Sequence, residues 1–245
     1  RIMNVFLILA CLFFAGSVIG WVIELLFRNI VHHHKKWINP GFCTGPYLPI
    51  YGFGLCTLYL LASLEKYAWI TDPVWNKIAL FAAMAVGMTL IEYIAGIFCL
   101  KCFKVMLWDY SDMWGNIQGL ICPLFSFFWA ILGALYYFLV HPYVLEALNW
   151  LSRNLAFSFF IGMFFGVFII DVCHSANIVV KLKSFAEENQ MVVRYEAVKN
   201  HIRENFEAGN KRFRYNFFRP FHDEHPLSER LKEMQEKLEK YKQSK

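Results

Sequence analysis

Five stretches of this chain run without charge, or with a single acid, over lengths that suit a lipid bilayer, and nothing else in the sequence restricts its fold so strongly. A helix needs about 20 mostly apolar residues to cross the hydrocarbon core. Residues 2–23 carry no charge, nor do 46–64 or 117–140; 78–100 is interrupted by Glu92 alone, and 155–170 is apolar up to Asp171 and runs on to about 180. With 58% hydrophobic and 18% charged residues, the 245-residue chain lies well below the roughly 25% charged content of soluble domains. The 18% aromatic content with 25 Phe excludes disorder over the first three quarters of the chain, and the length and cysteine placement exclude a small disulfide scaffold. The expected fold is an all-α polytopic membrane bundle of about five spans, near 2–27, 46–64, 78–100, 117–140 and 154–180, followed by a helical cytosolic tail over 181–245. The first run is too long for a cleaved leader and lacks a small-residue cleavage site. Arg1 in place of a start Met implies residues before it.

Charge sets the expected orientation. With five spans, Arg28, Lys35, Lys36, Lys101, Lys104, Lys181 and Lys183 fall on one face, against Arg1, Lys66, Lys77 and Arg153 on the other. Lys and Arg collect in short cytoplasmic loops, so the N-terminus is expected outside the cell membrane and the C-terminus in the cytosol.

An ionisable residue inside a span is costly unless paired or solvated, and so marks a candidate site. Glu24, Glu92 and Asp171 are the three, each expected in the cytosolic half of its span. Gly16, Gly20, Glu24 and Arg28 recur at i+4 on one helix face; the glycines permit close helix approach, and Glu24 and Arg28 form an acid–base pair that also suits the headgroup level. Asp171 has His174 at i+3 and Ser175 at i+4, so the carboxylate could orient the imidazole, or His174 could be interfacial only. Residues 39–54, NPGFCTGPYLPIYGFG, combine three prolines with four glycines and are expected to resist a regular helix before span two. Such a break is tolerated in a membrane where protein or a water-filled cavity covers it. Trp108, Asp109, Tyr110 and Ser111 follow on the same expected face. Together these residues suggest one polar chamber facing the cytosol, with Glu24, Arg28, Asn39, Tyr47, Tyr51, Glu92, Tyr93, Trp108, Asp109, Tyr110, Ser111, Asp171 and His174 as candidates for binding an unknown substrate. A membrane-embedded enzyme acting on a lipid or lipid-linked substrate, or a non-catalytic subunit, would use the same acids differently.

These segments resemble the type IV ABC-transporter permease family of bacterial multi-pass membrane proteins. The resemblance rests on residues 39–54, on Ile91, Glu92 and Tyr93, on Trp108 to Ser111, on Gln118 to Cys122 with Ser126 and Trp129, and on His141 with Pro142. It covers roughly residues 10 to 175. Two positions depart from the family pattern: Leu120 stands where an Arg is expected, and Gln118 where an Asn is. If that Arg pairs with a carboxylate in relatives, Arg28 is the obvious substitute here. The resemblance implies a transport permease. No G-x-x-x-x-G-K-[ST] phosphate loop occurs, so any ATPase would be a separate subunit and this chain is not expected to be an enzyme itself.

Neither cofactor nor metal is expected. Cys99 and Cys102 form one C-x-x-C without a second pair, and His32, His33 and His34 suit an interfacial basic loop. In the tail, Lys211, Arg212, Phe213, Arg214, Tyr215, Phe217, Phe218, Arg219 and Phe221 interleave cations with aromatics. This composition fits an anionic lipid surface better than nucleic acid on a chain already tethered to the bilayer. Leu227, Leu231, Met234, Leu238 and Tyr241, spaced 4, 3, 4 and 3 behind Ser228, suggest a helix over 227–243 that docks on a protein partner.

Overall fold

The computed structural model describes residues 5–31, 39–41, 43–67, 70, 72–189, 192–200, 231–234 and 236. The elements are helices α1 (Val5–Val31), α2 (Pro49–Ser63), α3 (Pro73–Phe103), α4 (Pro123–Leu135), α5 (His141–Arg153) and α6 (Ser158–Glu188), with strands β1 (Val105–Met106) and β2 (Val193–Arg194). A 3-10 turn (Leu64–Tyr67) follows α2, and a π-helical turn (Tyr136–Val140) joins α4 to α5. The protein is an all-α bundle. Among the described residues, four helical stretches are long and apolar enough to cross a membrane: Val5–Ile30, Pro73–Phe103, Pro123–Arg153 and Leu155–Glu188.

The second expected span is shorter than the apolar run that suggested it. Helix α2 has 15 residues, a rise of about 22 Å, against the roughly 30 Å of hydrocarbon a straight span must cross. It starts where Pro49 takes the N1 position, at which its missing N–H is no loss. Gly52 and Gly54, expected to resist helix, lie inside α2 and are buried. They are packing surfaces rather than breaks; within the segment, the non-helical residues described are 39–41 and 43–48, ahead of Pro49.

A second difference concerns residues 117–122. They precede α4 rather than open it, folded back on themselves by an antiparallel bridge between Ile117 and Ile121. Gln118 and Gly119 at the tip have φ of 55° and 68°, a conformation that the glycine adopts freely. Cys122 is then extended, as a residue before proline prefers, and Pro123 begins the helix. The helical stretch continues through the π-turn to Arg153 instead of stopping near 140. Likewise α6 reaches Glu188, past the expected end near 180. The basic-aromatic segment 211–221 and most of 227–243 lie outside the described residues, as do His32 to His34.

The chain divides into two compact units. The first holds residues 1–23, 47–95 and 110–170. Its core is built by Leu58, Leu80, Met84, Met88, Trp129 and Tyr136, and Phe13 contacts the rings of Phe53, Phe165 and Phe168. The second holds 24–46, 96–109 and 171–245. Val105, Leu182, Val193 and Val198 are at its centre, and β1 pairs with β2 in parallel, Val105 opposite Val193.

In the first unit α1 and α2 touch through glycines. A Cβ added at Gly16 would lie 2.8 Å from Leu55 Cβ and 2.9 Å from the Tyr51 carbonyl; one at Gly20 would overlap the Tyr51 ring. From the other side, a Cβ at Gly52 would meet Ser17 Oγ and come 2.7 Å from the Phe13 carbonyl. Backbone opposes the additions at Gly16 and Gly52, and the Tyr51 side chain the one at Gly20, so neither helix yields cheaply. Gly52→Ala should therefore lower stability by about 1–3 kcal/mol, the usual range for overpacking. Gly162→Ala and Gly166→Ala, where nothing lies within 4 Å, should be neutral or gain up to about 1 kcal/mol from helix propensity. Thermal midpoints of the three variants in one detergent check the contrast; equal midpoints would contradict the packing described.

Candidate functional site

Glu92 lies on α3 with only 3% of its surface exposed. In water-poor surroundings a carboxylate needs a donor for each oxygen, and two neutral side chains supply them. The Tyr110 hydroxyl donates to Oε1 at 2.9 Å, and the Trp129 indole N–H donates to Oε2, also at 2.9 Å. Tyr110 is set in place from two directions: its backbone N–H donates to the Gly119 carbonyl at 2.8 Å, and its ring stacks on Phe125 with centroids 4.4 Å apart. The folded-back turn at 117–122 thus positions a ligand of Glu92, which explains why it is not helix. Tyr51 of α2 completes the aromatic surroundings, its ring 5.3 Å from that of Trp129. Tyr93, one residue on along α3, is half-buried and points about 100° away around the helix. Tyr47 is buried against Phe164 and Phe168.

In the second unit Asp171 fastens the Pro/Gly-rich loop. It is 7% exposed and accepts hydrogen bonds from the Thr44 N–H at 3.2 Å, the Thr44 hydroxyl and the Gly45 N–H at 2.8 Å. Ser175, at i+4, adds a longer bond at 3.4 Å. His174, offered by the sequence as the imidazole partner, is exposed; the carboxylate turns toward the loop because backbone amides there would otherwise be unsatisfied. Asn39 closes the loop from within, its amide donating to the carbonyls of Cys43 and Thr44 at 3.3 and 3.0 Å. Lys199 closes it from outside, donating to the Asn39 and Gly41 carbonyls at 2.8 and 2.6 Å.

Burial pushes the Lys199 amine down to about 7, opposed by attraction to Glu196 and reinforced by repulsion from Arg28. The amine hydrogens go to the two loop carbonyls. Burial likewise pushes the Cys43 thiol up to about 12, with Asp171 adding to the effect. Cys43 is a packed side chain here and no activated nucleophile.

Arg28 bridges two acids, Glu24 at 2.7 Å and Glu196 at 2.6 Å. The Glu24–Arg28 pair anticipated from spacing is present, and its third member comes from the segment after β2. Asp109 pairs with the exposed Arg194 at 2.7 Å. Trp108 is half-buried and Ser111 exposed; the Ser111 carbonyl accepts from the Asn116 amide. Leu120, in place of the Arg of the pattern, is fully buried, and Arg28 is engaged with Glu24 and Glu196.

Of the candidates, the first unit joins Glu92 with Tyr110 and sets Tyr51 beside Trp129. The second joins Glu24 with Arg28, and fastens both Asn39 and Asp171 to one loop. Thr44, Arg194, Glu196 and Lys199 were not singled out by sequence reasoning; the last three sit in a mixed-charge run in which no spacing separates them from solvated neighbours. Among the described residues no group of three or more His, Cys, Asp or Glu is placed to hold a metal ion. Thr44→Val keeps the side-chain volume and removes one donor from a buried carboxylate. It should lower stability by about 1.5–3 kcal/mol, whereas Ser175→Ala, which loses the 3.4 Å bond, should cost clearly less. Equal losses in chemical or thermal unfolding would show that the loop is not what Asp171 holds.

No curated protein and no solved structure matches the chain. A family model described as "Putative ABC-transporter type IV" matches residues 11–176. That interval takes in α1 from its second turn, the Asn39 loop, Glu92 with the donors Tyr110 and Trp129, and Asp171. Apolar helices of spanning length and this match together make the chain a multi-pass membrane protein of the ABC-transporter type IV family.

Proposed function

We propose that the protein is a transport-type membrane subunit in which Glu92 is the acid that meets the substrate, within a polar site opening to the cytosol. The observation that carries this reading is the burial of a carboxylate on an apolar helix, held by two neutral donors. Such a group is expensive to keep in a membrane, and intramembrane acids mark substrate or ion paths. Its donors are aromatic, and Tyr51 adds a third ring, so the surroundings combine negative charge with π-faces. That chemistry suits an organic cation. On this reading the N-terminus is outside, the tail is cytosolic, and ATP hydrolysis belongs to a separate partner chain, since this one has no phosphate loop. The tail's 211–221 segment would rest on anionic lipid.

The test uses the full chain in lipid nanodiscs and a panel of small quaternary ammonium and carboxylate probes. Glu92→Gln preserves shape and removes charge, so it should remain inserted and folded. A cationic probe that stabilises the parent protein should bind the variant at least tenfold more weakly, about 1.4 kcal/mol. Undiminished cation binding by the variant, or stabilisation of the parent by anions alone, would overturn the reading.

A further inference from the structure

The π-turn between α4 and α5 holds a second set of ionisable side chains, for which the Glu92 reading has no use. Pro142 accounts for the turn. It has no N–H to donate to the Phe138 carbonyl, and its ring crowds that oxygen. The helix widens, and the His141 N–H bonds instead to the carbonyl of Tyr136, five residues back. In a regular α-helix residues five apart lie about 140° from each other around the axis. The wider turn brings Tyr136 and His141 onto one side, where the Tyr136 oxygen and His141 Nδ1 are 2.9 Å apart. The same two residues are thus tied twice, once by backbone and once by side chain. Single π-turns are rare and concentrate at functional sites.

Tyrosines surround the imidazole. Its centroid is 5.4 Å from the buried Tyr136 ring, 6.1 Å from Tyr59 of α2, and 6.4 Å from Tyr137, whose plane is parallel to it. The Tyr137 hydroxyl donates to Glu65 Oε1 at 2.5 Å, and Glu65 acts on His141 electrostatically. Among the described residues, the titratable groups facing this pair are Tyr136 and Tyr137 from its own helix, Tyr59 and Cys56 from α2, and Glu65 from the turn after α2. Lys66, beside Glu65, is exposed. From α3 come Leu80, Phe81 and Met84, none of them titratable.

We propose that His141 is a proton-binding site of the membrane domain, with the Tyr136 hydroxyl as the element that responds. In the neutral state the Tyr136 O–H donates to Nδ1, and the imidazole carries its proton on Nε2. One proton arriving at Nδ1 makes the imidazolium; the Tyr136 hydroxyl keeps its own proton, rotates, and accepts from Nδ1–H. Glu65 supplies a charge opposite to that of the imidazolium. The proposal stands independently of Glu92, since none of these groups is among that acid's donors.

Nitrogen-15 spectra of the full chain in nanodiscs, with labelled histidine, test it. The His141 resonances are assigned by their loss in His141→Asn and by their response to Tyr136→Phe. At about pH 8 they should show a protonated Nε2 and a hydrogen-bonded, unprotonated Nδ1. Acidification to about pH 5 should convert them to the doubly protonated form. Tyr136→Phe should shift the Nδ1 resonance, and Glu65→Gln should displace the titration midpoint. A neutral tautomer with its proton on Nδ1, an imidazole still neutral at about pH 4, or a titration unaltered in both variants would overturn the proposal. The first two outcomes are read on the parent protein and do not depend on any variant folding.

Discussion

A carboxylate surrounded by hydrocarbon has no water to turn to, and the arrangement around Glu92 follows from that. Two oxygens call for two donors, and each donor comes from a different part of the chain. Trp129 is supplied by α4. Tyr110 is supplied by a loop that must first be shaped: the positive φ at Gln118 and Gly119, the Ile117–Ile121 bridge and the Pro123 helix start all turn the chain so that Gly119 can hold the Tyr110 backbone. Hydrogen bonds between membrane helices are individually modest, near 1 kcal/mol. Their larger consequence is specificity, because a register that strands the acid is excluded by the desolvation of a bare charge.

The second unit meets the same constraint with backbone instead of rings. The Pro/Gly-rich loop exposes amides and carbonyls that no helix satisfies, and Asp171 takes the amides of Thr44 and Gly45 while Lys199 takes the carbonyls of Asn39 and Gly41. An anionic and a cationic side chain thus bracket one loop, each matched to the backbone groups of opposite polarity. Arg28 does similar work between Glu24 and Glu196. Of the four charged groups around the loop and Arg28, three (Asp171, Glu196 and Lys199) are on α6 or after it, which ties this unit to sequence well downstream.

Much of the bundle was legible in the sequence because hydrocarbon allows few solutions: a long uncharged run favours helix, and residues 5–23, 78–100 and 155–170 are helical. The Glu24–Arg28 pair was legible too, since i+4 spacing is local. What was not legible depended on partners far off in the chain. Gly52 and Gly54 read as helix breakers because glycine's intrinsic cost is visible, whereas the close approach of Phe13, Ser17 and Met88 that requires them is not. Residues 117–122 read as the start of a span because isoleucine is apolar wherever it sits, while the turn lies in two φ angles. The pairing of Tyr136 with His141 was hidden by its spacing, as five residues is a separation that α-helical periodicity assigns to different faces. Lys199 and Glu196 were hidden among like residues; burial distinguishes the first and the pair with Arg28 the second.

The coupling between Glu92 and Trp129 tests the account at its centre. A double-mutant cycle with Glu92→Met and Trp129→Phe, read by unfolding in a single detergent or lipid system, isolates what each side chain contributes only through the other. If the indole N–H is a required donor to a buried carboxylate, Trp129→Phe should destabilise the parent by about 1 kcal/mol or more. In the Glu92→Met background, where no carboxylate remains to be satisfied, the same change should be close to neutral. Losses that add to within about 0.3 kcal/mol in both backgrounds would mean that Glu92 and Trp129 do not act as a pair.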